Sequence, residues 1–249
     1  MSDTSSESKH SRGSRRRSSR HSTSSVVKFD DIDTKREAHP VFSFPDGNVT
    51  FLVEGTTFTV YRYFLQRDSP VFRDMFALGA PLDDGQGLSS MEGSKENPVR
   101  LPDLNPNDFA RFLCILFPPR YNVQPFQKTD DWIGVLRVAD KFQFADVREL
   151  AVEKLRSAAC AVDRIHIGHR YSVRSLALSG YRDLCNRRTP LTVEEIDALE
   201  SCDIALVMSK RESLGKNCSY THYQKPLDHE VPDSAVAKWF ANRLPPENA

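Results

Sequence analysis

The spacing of apolar and polar positions divides the chain into a short β-rich start and a long helical remainder. After a charged run from Asp30 to Glu37, the globular pattern begins at His39-Pro40-Val41-Phe42. Phe44-Pro45-Asp46-Gly47-Asn48 reads as a turn. Val49 to Val53 and Thr56 to Val60 are short β-branched and aromatic runs separated by Glu54-Gly55, the pattern of a tight hairpin. A hairpin of two strands does not stand alone in water, so it needs a cover. That cover follows directly: Phe64-Leu65, Val71-Phe72 and Met75-Phe76 fall at helical spacing, and Asp68-Ser69-Pro70 supplies an N-cap followed by proline at the first helical position.

Further on, Pro81 to Pro98 is rich in Gly, Ser and charge and reads as an exposed excursion. Val99-Arg100-Leu101-Pro102 is a brief strand. Pro106 opens a helix in which Phe109, Phe112, Leu113 and Leu116 share a face, and Phe117-Pro118-Pro119 ends it. Trp132, Val135, Leu136 and Ala139 form another apolar face. After the break at Gln143-Phe144-Ala145-Asp146, Val147, Leu150, Ala151, Leu155 and Ala158 form a third. Helices are predicted over about 163–171, 173–187 and 201–214, with a capping box at Thr192-Val193-Glu194-Glu195. No repeat of 20–50 residues is visible, so a solenoid is not expected. The segment from Gly215 to Ala249 is proline-rich and reads as a flexible tail with one short helix over 235–244. That helix presents Val236, Trp239 and Phe240, which are candidates for docking in a groove.

Composition changes this picture mainly at the N-terminus. The 249 residues carry 34 basic and 34 acidic side chains, so the chain as a whole is not a general polyanion binder. The first 25 residues hold eleven serines and six basic against two acidic residues, a charge of +4, which leaves −4 for the rest. Such a segment buries too little apolar surface to offset its ordering entropy and is expected to be disordered. Arg15, Arg16, Arg17, Ser18, Ser19 and Arg20 within it fit a nuclear import address, a kinase-regulated switch or a weak RNA contact. The lack of aromatic residues there puts import or regulation ahead of RNA.

Neither a secretory signal nor an apolar run of about 18 residues is present, so no membrane association is expected. The five cysteines, Cys114, Cys160, Cys185, Cys202 and Cys218, lack the pairing of a disulfide framework. They are expected to be reduced thiols of an intracellular protein, nuclear or cytoplasmic. The sequons at Asn48 and Asn217 are then unmodified.

Catalytic chemistry finds little footing. His166-Ile167-Gly168-His169 with Met208-Ser209-Lys210 resembles the ATP signatures of class I aminoacyl-tRNA synthetases in its letters. Those motifs need a strand-to-helix turn in a parallel sheet, and His166 and His169 fall inside a predicted helix. The same two histidines, and the loose trio Cys218, His222 and His229, lack the ligand sets of a zinc site. Asp83-Asp84-Gly85 lacks the remaining ligands of a calcium loop. The chain has no nucleophile elbow and no phosphate loop. No enzyme activity and no cofactor are therefore expected.

The order of elements, together with Asn48 to Leu65, Asp68 to Phe76, Leu101-Pro102-Asp103-Leu104, Phe109 to Pro119 and Val138-Ala139-Asp140-Lys141-Phe142, resembles the BTB/POZ domain. The manner is that of filamentous fungal BTB proteins, whose helical extension is similar to the segment with Arg170-Tyr171-Ser172-Val173, Tyr181, Leu184-Cys185 and Pro190-Leu191-Thr192. Asn48 stands where the family commonly has an acidic residue, and Tyr61 where it often has histidine. The resemblance implies an α+β fold over residues 39–160, after a disordered 1–38, with a helical extension over 161–214. It further implies a non-catalytic interaction module, typically a homodimer built from the first elements, some members recruiting cullin-family ubiquitin ligase scaffolds. Tyr61, Tyr63 and Phe64 are the candidate dimer contacts among a concentration of apolar residues that includes Phe58, Val71 and Phe72. The alternative is a nucleic-acid-associated or transcriptional regulator that uses the basic N-terminal arm. If that arm is an import address, a fluorescent fusion lacking residues 1–25 is expected to lose nuclear accumulation, and an unchanged distribution would remove the import reading.

Overall fold

The fold is described from a computed structural model, for residues 36–78, 93–120, 126, 128–214 and 231–246. Strands β2 (Val49–Val53) and β3 (Thr56–Val60) form the expected antiparallel hairpin, with Phe51 opposite Phe58. Its two-residue turn places Glu54 at φ 43° and Gly55 at φ 87°, the pair of positive angles that suits the twist of a tight hairpin. Period-2 alternation puts Val49, Phe51, Val53, Phe58 and Val60 on one buried face. Thr50 and Thr59 share the other, their hydroxyls 3.1 Å apart.

Two further strands complete a sheet of order β1-β3-β2-β4. Strand β1 (Glu37–Ser43) lies parallel to β3 and starts ahead of the predicted domain boundary, the Glu37 amide donating to the Gly55 carbonyl at 3.0 Å. It bulges between Ala38 and Ser43, where the His39 ring turns back. Its Nδ1 accepts from the amides of Val41 and Phe42, both at 3.2 Å, and the ring stacks on Phe58 and Phe42. Pro40 has no amide to offer, so this edge presents few free donors. Strand β4 (Val99–Arg100) pairs parallel with β2. The excursion predicted over 81–98 is mostly outside the described residues; at its end Lys95, Glu96 and Asn97 are exposed, while Gly93, whose carbonyl accepts from Thr50 N at 2.8 Å, and Pro98 are buried.

Helices α1 (Arg62–Asp68) and α2 (Pro70–Leu78) meet at Ser69. The fully buried Ser69 hydroxyl accepts from Phe72 N at 3.0 Å, capping α2, and donates to the Phe142 carbonyl at 2.6 Å. Helix α3 (Pro106–Leu116) is capped by Asn105, and α4 (Thr129–Lys141) and α5 (Ala145–Ala158) follow. Buried Asp108 ties α3 to α4 through Arg111 and Arg137, and Arg111 also pairs with Asp131. The first core is rich in phenylalanine: Phe51, Phe58, Phe72, Phe109, Phe112, Phe142 and Phe144 pack edge-to-face or offset between sheet and helices.

Helices α6 (Ala161–Arg170) and α7 (Arg174–Asn186) cross closely. A Cβ on Gly168 would meet Ala177 N at 2.5 Å, and one on Gly180 would meet the Ala161 carbonyl at 2.5 Å. These helices serve both cores. Ile167 and Leu176 belong to the first; Val162, Ile165, Ala177 and Tyr181 belong to a second. The predicted boundary at 160/161 therefore falls inside packed structure. Helices α8 (Val193–Ala198, with its capping box at Thr192) and α9 (Ser201–Ser213) complete the extension. The predicted tail helix over 235–244 is observed as α10 (Asp233–Trp239) followed by turns. It is not a loose tail: Val231, Val236, Phe240 and Leu244 are buried in the second core, because their apolar surface finds cover on α7 and α9.

Replacing Ser69 by alanine removes a cap and leaves the Phe142 carbonyl without its partner. An expected loss of about 1–3 kcal/mol should appear as a lower urea midpoint at unchanged m-value. For pH, burial lowers the pKa of His39 and His169 from the ordinary 6.5. The folded state then binds fewer protons than the unfolded one, so the stability is present above that ordinary value and is lost as pH falls through the lowered folded pKa. The unfolding midpoint is expected to drop between about pH 7 and pH 5. His39→Asn, which keeps an acceptor for the two amides without titrating, should reduce that drop.

Candidate interaction surface

The turn before β2 and the start of α1 are locked together by side chains. Asn48 Oδ1 accepts from Arg62 N at 2.7 Å, and the Tyr61 hydroxyl donates to Asp46 at 2.7 Å. That bond to a carboxylate raises the tyrosine pKa above its ordinary 10.0. At the two positions where this sequence departs from the BTB pattern, asparagine thus caps a helix and tyrosine pairs with an acid of its own chain. Arg62 is held inward, donating to the Phe76 carbonyl at 3.0 Å with its guanidinium over the Phe76 ring.

Around this anchor an aromatic patch assembles from three elements. Tyr61 stacks on Phe44 at 5.2 Å, and Phe117 packs edge-on against Phe44 and Phe64. Tyr63 continues the row at 5.5 Å from Phe64. Arg67, forked onto Asp68, lies over the Phe64 ring at 5.3 Å and near Tyr63. The three candidates are therefore close together, yet differ in exposure: Tyr61 and Phe64 are half-buried, whereas Tyr63 is 59% exposed. Leu78, at the end of α2, is 89% exposed. Phe58 and Phe72 are core. The sequence reading missed Phe44 and Phe117 as patch members; their only local signal is an aromatic beside a proline turn.

The other candidates are dispersed. Val236 and Phe240 are buried against their own chain, Phe240 stacked on Tyr181 at 4.2 Å, and Trp239 is half-buried beside Lys210. His166 and His169 both lie on α6. His169 bonds the Tyr181 hydroxyl at 3.0 Å while His166 is exposed, so the pair does not converge on a metal. Glu200, Cys202 and Asp203 cluster as a metal site would, but Arg243 bonds both carboxylates. Among the described residues, cysteines 114, 160, 185 and 202 form no disulfide. A cavity of about 230 Å³ opens beside β1 and is lined by Ser43, Thr50, Thr57, Thr59 and Lys95. It is smaller than the roughly 300–1,000 Å³ usual for small-molecule sites. The candidates Arg15, Arg16, Arg17, Ser18, Ser19 and Arg20, and the trio Cys218, His222 and His229, lie outside the described residues. Among the described residues no helix is long and apolar enough to cross a membrane.

A hairpin, a helix pair, a lone strand and three helices have now been placed in that order, and the sequence model of the BTB/POZ domain matches residues 45–159. The chain carries a BTB/POZ domain. Strands β2 to β4, α1 to α5 and most of the phenylalanine core fall within that match, and β1 precedes it. No curated protein matches the chain. BTB/POZ domains are protein–protein interaction modules, generally not enzymes, so the aromatic patch is a surface of a module that binds other proteins.

Proposed function

We propose that this BTB/POZ protein is a homodimerising scaffold or adaptor and that the α1 patch is its self-association surface. The observation that carries the reading is the row Phe44, Tyr61, Phe64, Phe117 with Tyr63 left 59% exposed at its end. Aromatic residues and arginine are the types enriched in interface centres, and large rings with few rotamers bind at low entropic cost. Leu78 adds a bare aliphatic side chain to the helix pair. A narrower reading, as a substrate adaptor for a cullin-family ubiquitin ligase, has its support in the family resemblance; retention of a cullin by the full chain in a pull-down is its test. The basic Ser/Arg segment would add import or phosphorylation control to either role.

Sedimentation equilibrium of the full chain over a range of concentrations is expected to give a dimer at low micromolar protein. Tyr63→Glu places a charge in the patch at an exposed position that the fold does not need. It should weaken the dimer at least about tenfold without moving the urea midpoint. A persistent monomer, or an unaffected Tyr63→Glu dimer, would overturn the patch as the self-association surface.

A further inference from the structure

The last described segment of the chain, residues 231–246, is held the way a peptide is held by a receptor. It follows α9 after seventeen residues, and its only helix, α10, is seven residues long. A helix of that length is not stable in isolation, so its shape comes from what it rests on. Val236, Phe240 and Leu244, spaced by four, present one apolar edge that is buried against the second core. The Phe240 ring lies flat on Tyr181 of α7, 4.2 Å between centroids.

The polar contacts are arranged from the receiving side. Both oxygens of Asp203 on α9 accept from Arg243, at 2.8 and 3.1 Å, and Glu200 accepts from the same guanidinium. Asp203 is 2% exposed, so a buried carboxylate takes its cation from the segment. At either end, side chains of α7 catch the backbone. Asn186 Oδ1 accepts from Val231 N at 3.0 Å, and Arg174 donates to the Pro245 carbonyl at 2.8 Å. Arg182 pairs with Asp233 at the start of α10. Apolar anchors one helical turn apart, an arginine clamp and captured ends are the features of helix-in-groove recognition.

We propose that the face formed by α7 and α9 is a peptide-docking groove that residues 231–246 fill in cis. Its external ligand is a partner segment with the same chemistry: an aliphatic residue, phenylalanine four positions on, arginine three further and leucine next. This site uses the second core and is independent of the α1 patch. Because the resident segment belongs to the same chain, a partner competes with an intramolecular occupant. A partner therefore gains the groove only when it carries the full pattern or binds the protein elsewhere as well.

The test keeps the whole chain and opens the connection. A protease site is inserted within residues 215–230, the chain is cut, and a fluorescent peptide of residues 231–246 is added. The expected result is saturable uptake at micromolar peptide by the cut protein and uptake at least about tenfold weaker by the uncut one. Phe240→Ala and Arg243→Ala peptides should each lose at least about tenfold in affinity, while Lys238→Ala, at an exposed position, should bind normally. Loss of helical circular dichroism on cutting, no uptake at a large excess of peptide, or equal uptake of the Arg243→Ala peptide would overturn the proposal. The first of these would make the segment a fixed part of the core. The dimer mass is read in the same samples and moves separately.

Discussion

The contact on which the rest depends is the junction of Ser69 and Phe72 with Phe142. One hydroxyl caps α2 and grips a carbonyl 73 residues away. Beside it the Phe72 ring touches Phe51 of the sheet, Phe76 of its own helix, and Phe142 and Phe144 of the loop between α4 and α5. A sheet of four strands with one apolar face gains stability only when that face is covered, and Phe72 is the point at which hairpin, helix pair and helical bundle meet in van der Waals contact. Fixing that junction fixes α1 in turn. Tyr63 is left exposed and Tyr61 and Phe64 half-buried, while Leu65 goes in.

Buried charge does in the extension what phenylalanine does in the domain. Helix α9 buries Asp203, Val207 and Arg211, one position per turn, so its inner stripe is acid, aliphatic, base. Arg211 donates to the carbonyls of Leu184 at 2.6 Å and Thr189 at 2.8 Å, closing the end of α7; burial lowers its pKa without removing its proton from the physiological range. Asp203 is matched by Arg243. Such contacts add little net stability, since each ion must be stripped of water, but an unmatched one is costly, so they select a single arrangement of the helices. The triad of Asp108 with Arg111 and Arg137 plays the same part between α3 and α4.

This division explains what was legible in the sequence. The hairpin turn at Glu54-Gly55, the caps at Ser69 and Thr192, the proline opening α3, and the apolar faces of α3 to α5 obey rules spanning four or five residues, and the structure follows them. The path of β1 turns on His39 stacking over Phe58, nineteen positions on, and the seat of Gly93 on Thr50, so neither had a local signal. Helix α9 has no apolar stripe to read, and its partner lies beyond a proline-rich stretch. The same holds for the patch: Tyr61, Tyr63 and Phe64 stand together in sequence, but Phe44 and Phe117 join them only through the fold.

The extension also has too little apolar surface of its own. Helix α8 buries no residue fully, and of α9's apolar side chains Val207 alone is fully buried in the second core, with Ile204 and Leu206 half-buried against it. Four of that core's thirteen buried residues come from the C-terminal segment, including the one phenylalanine. With roughly 1.5–3 kcal/mol for each such side chain taken out of water, an empty groove would expose Tyr181 and Val207 and strand the Asp203 charge. The extension is therefore built around an occupant. Residues 231–246 supply one, and the groove's demands, an aromatic ring on Tyr181 and a cation on Asp203, are specific enough that an unrelated segment would not meet them.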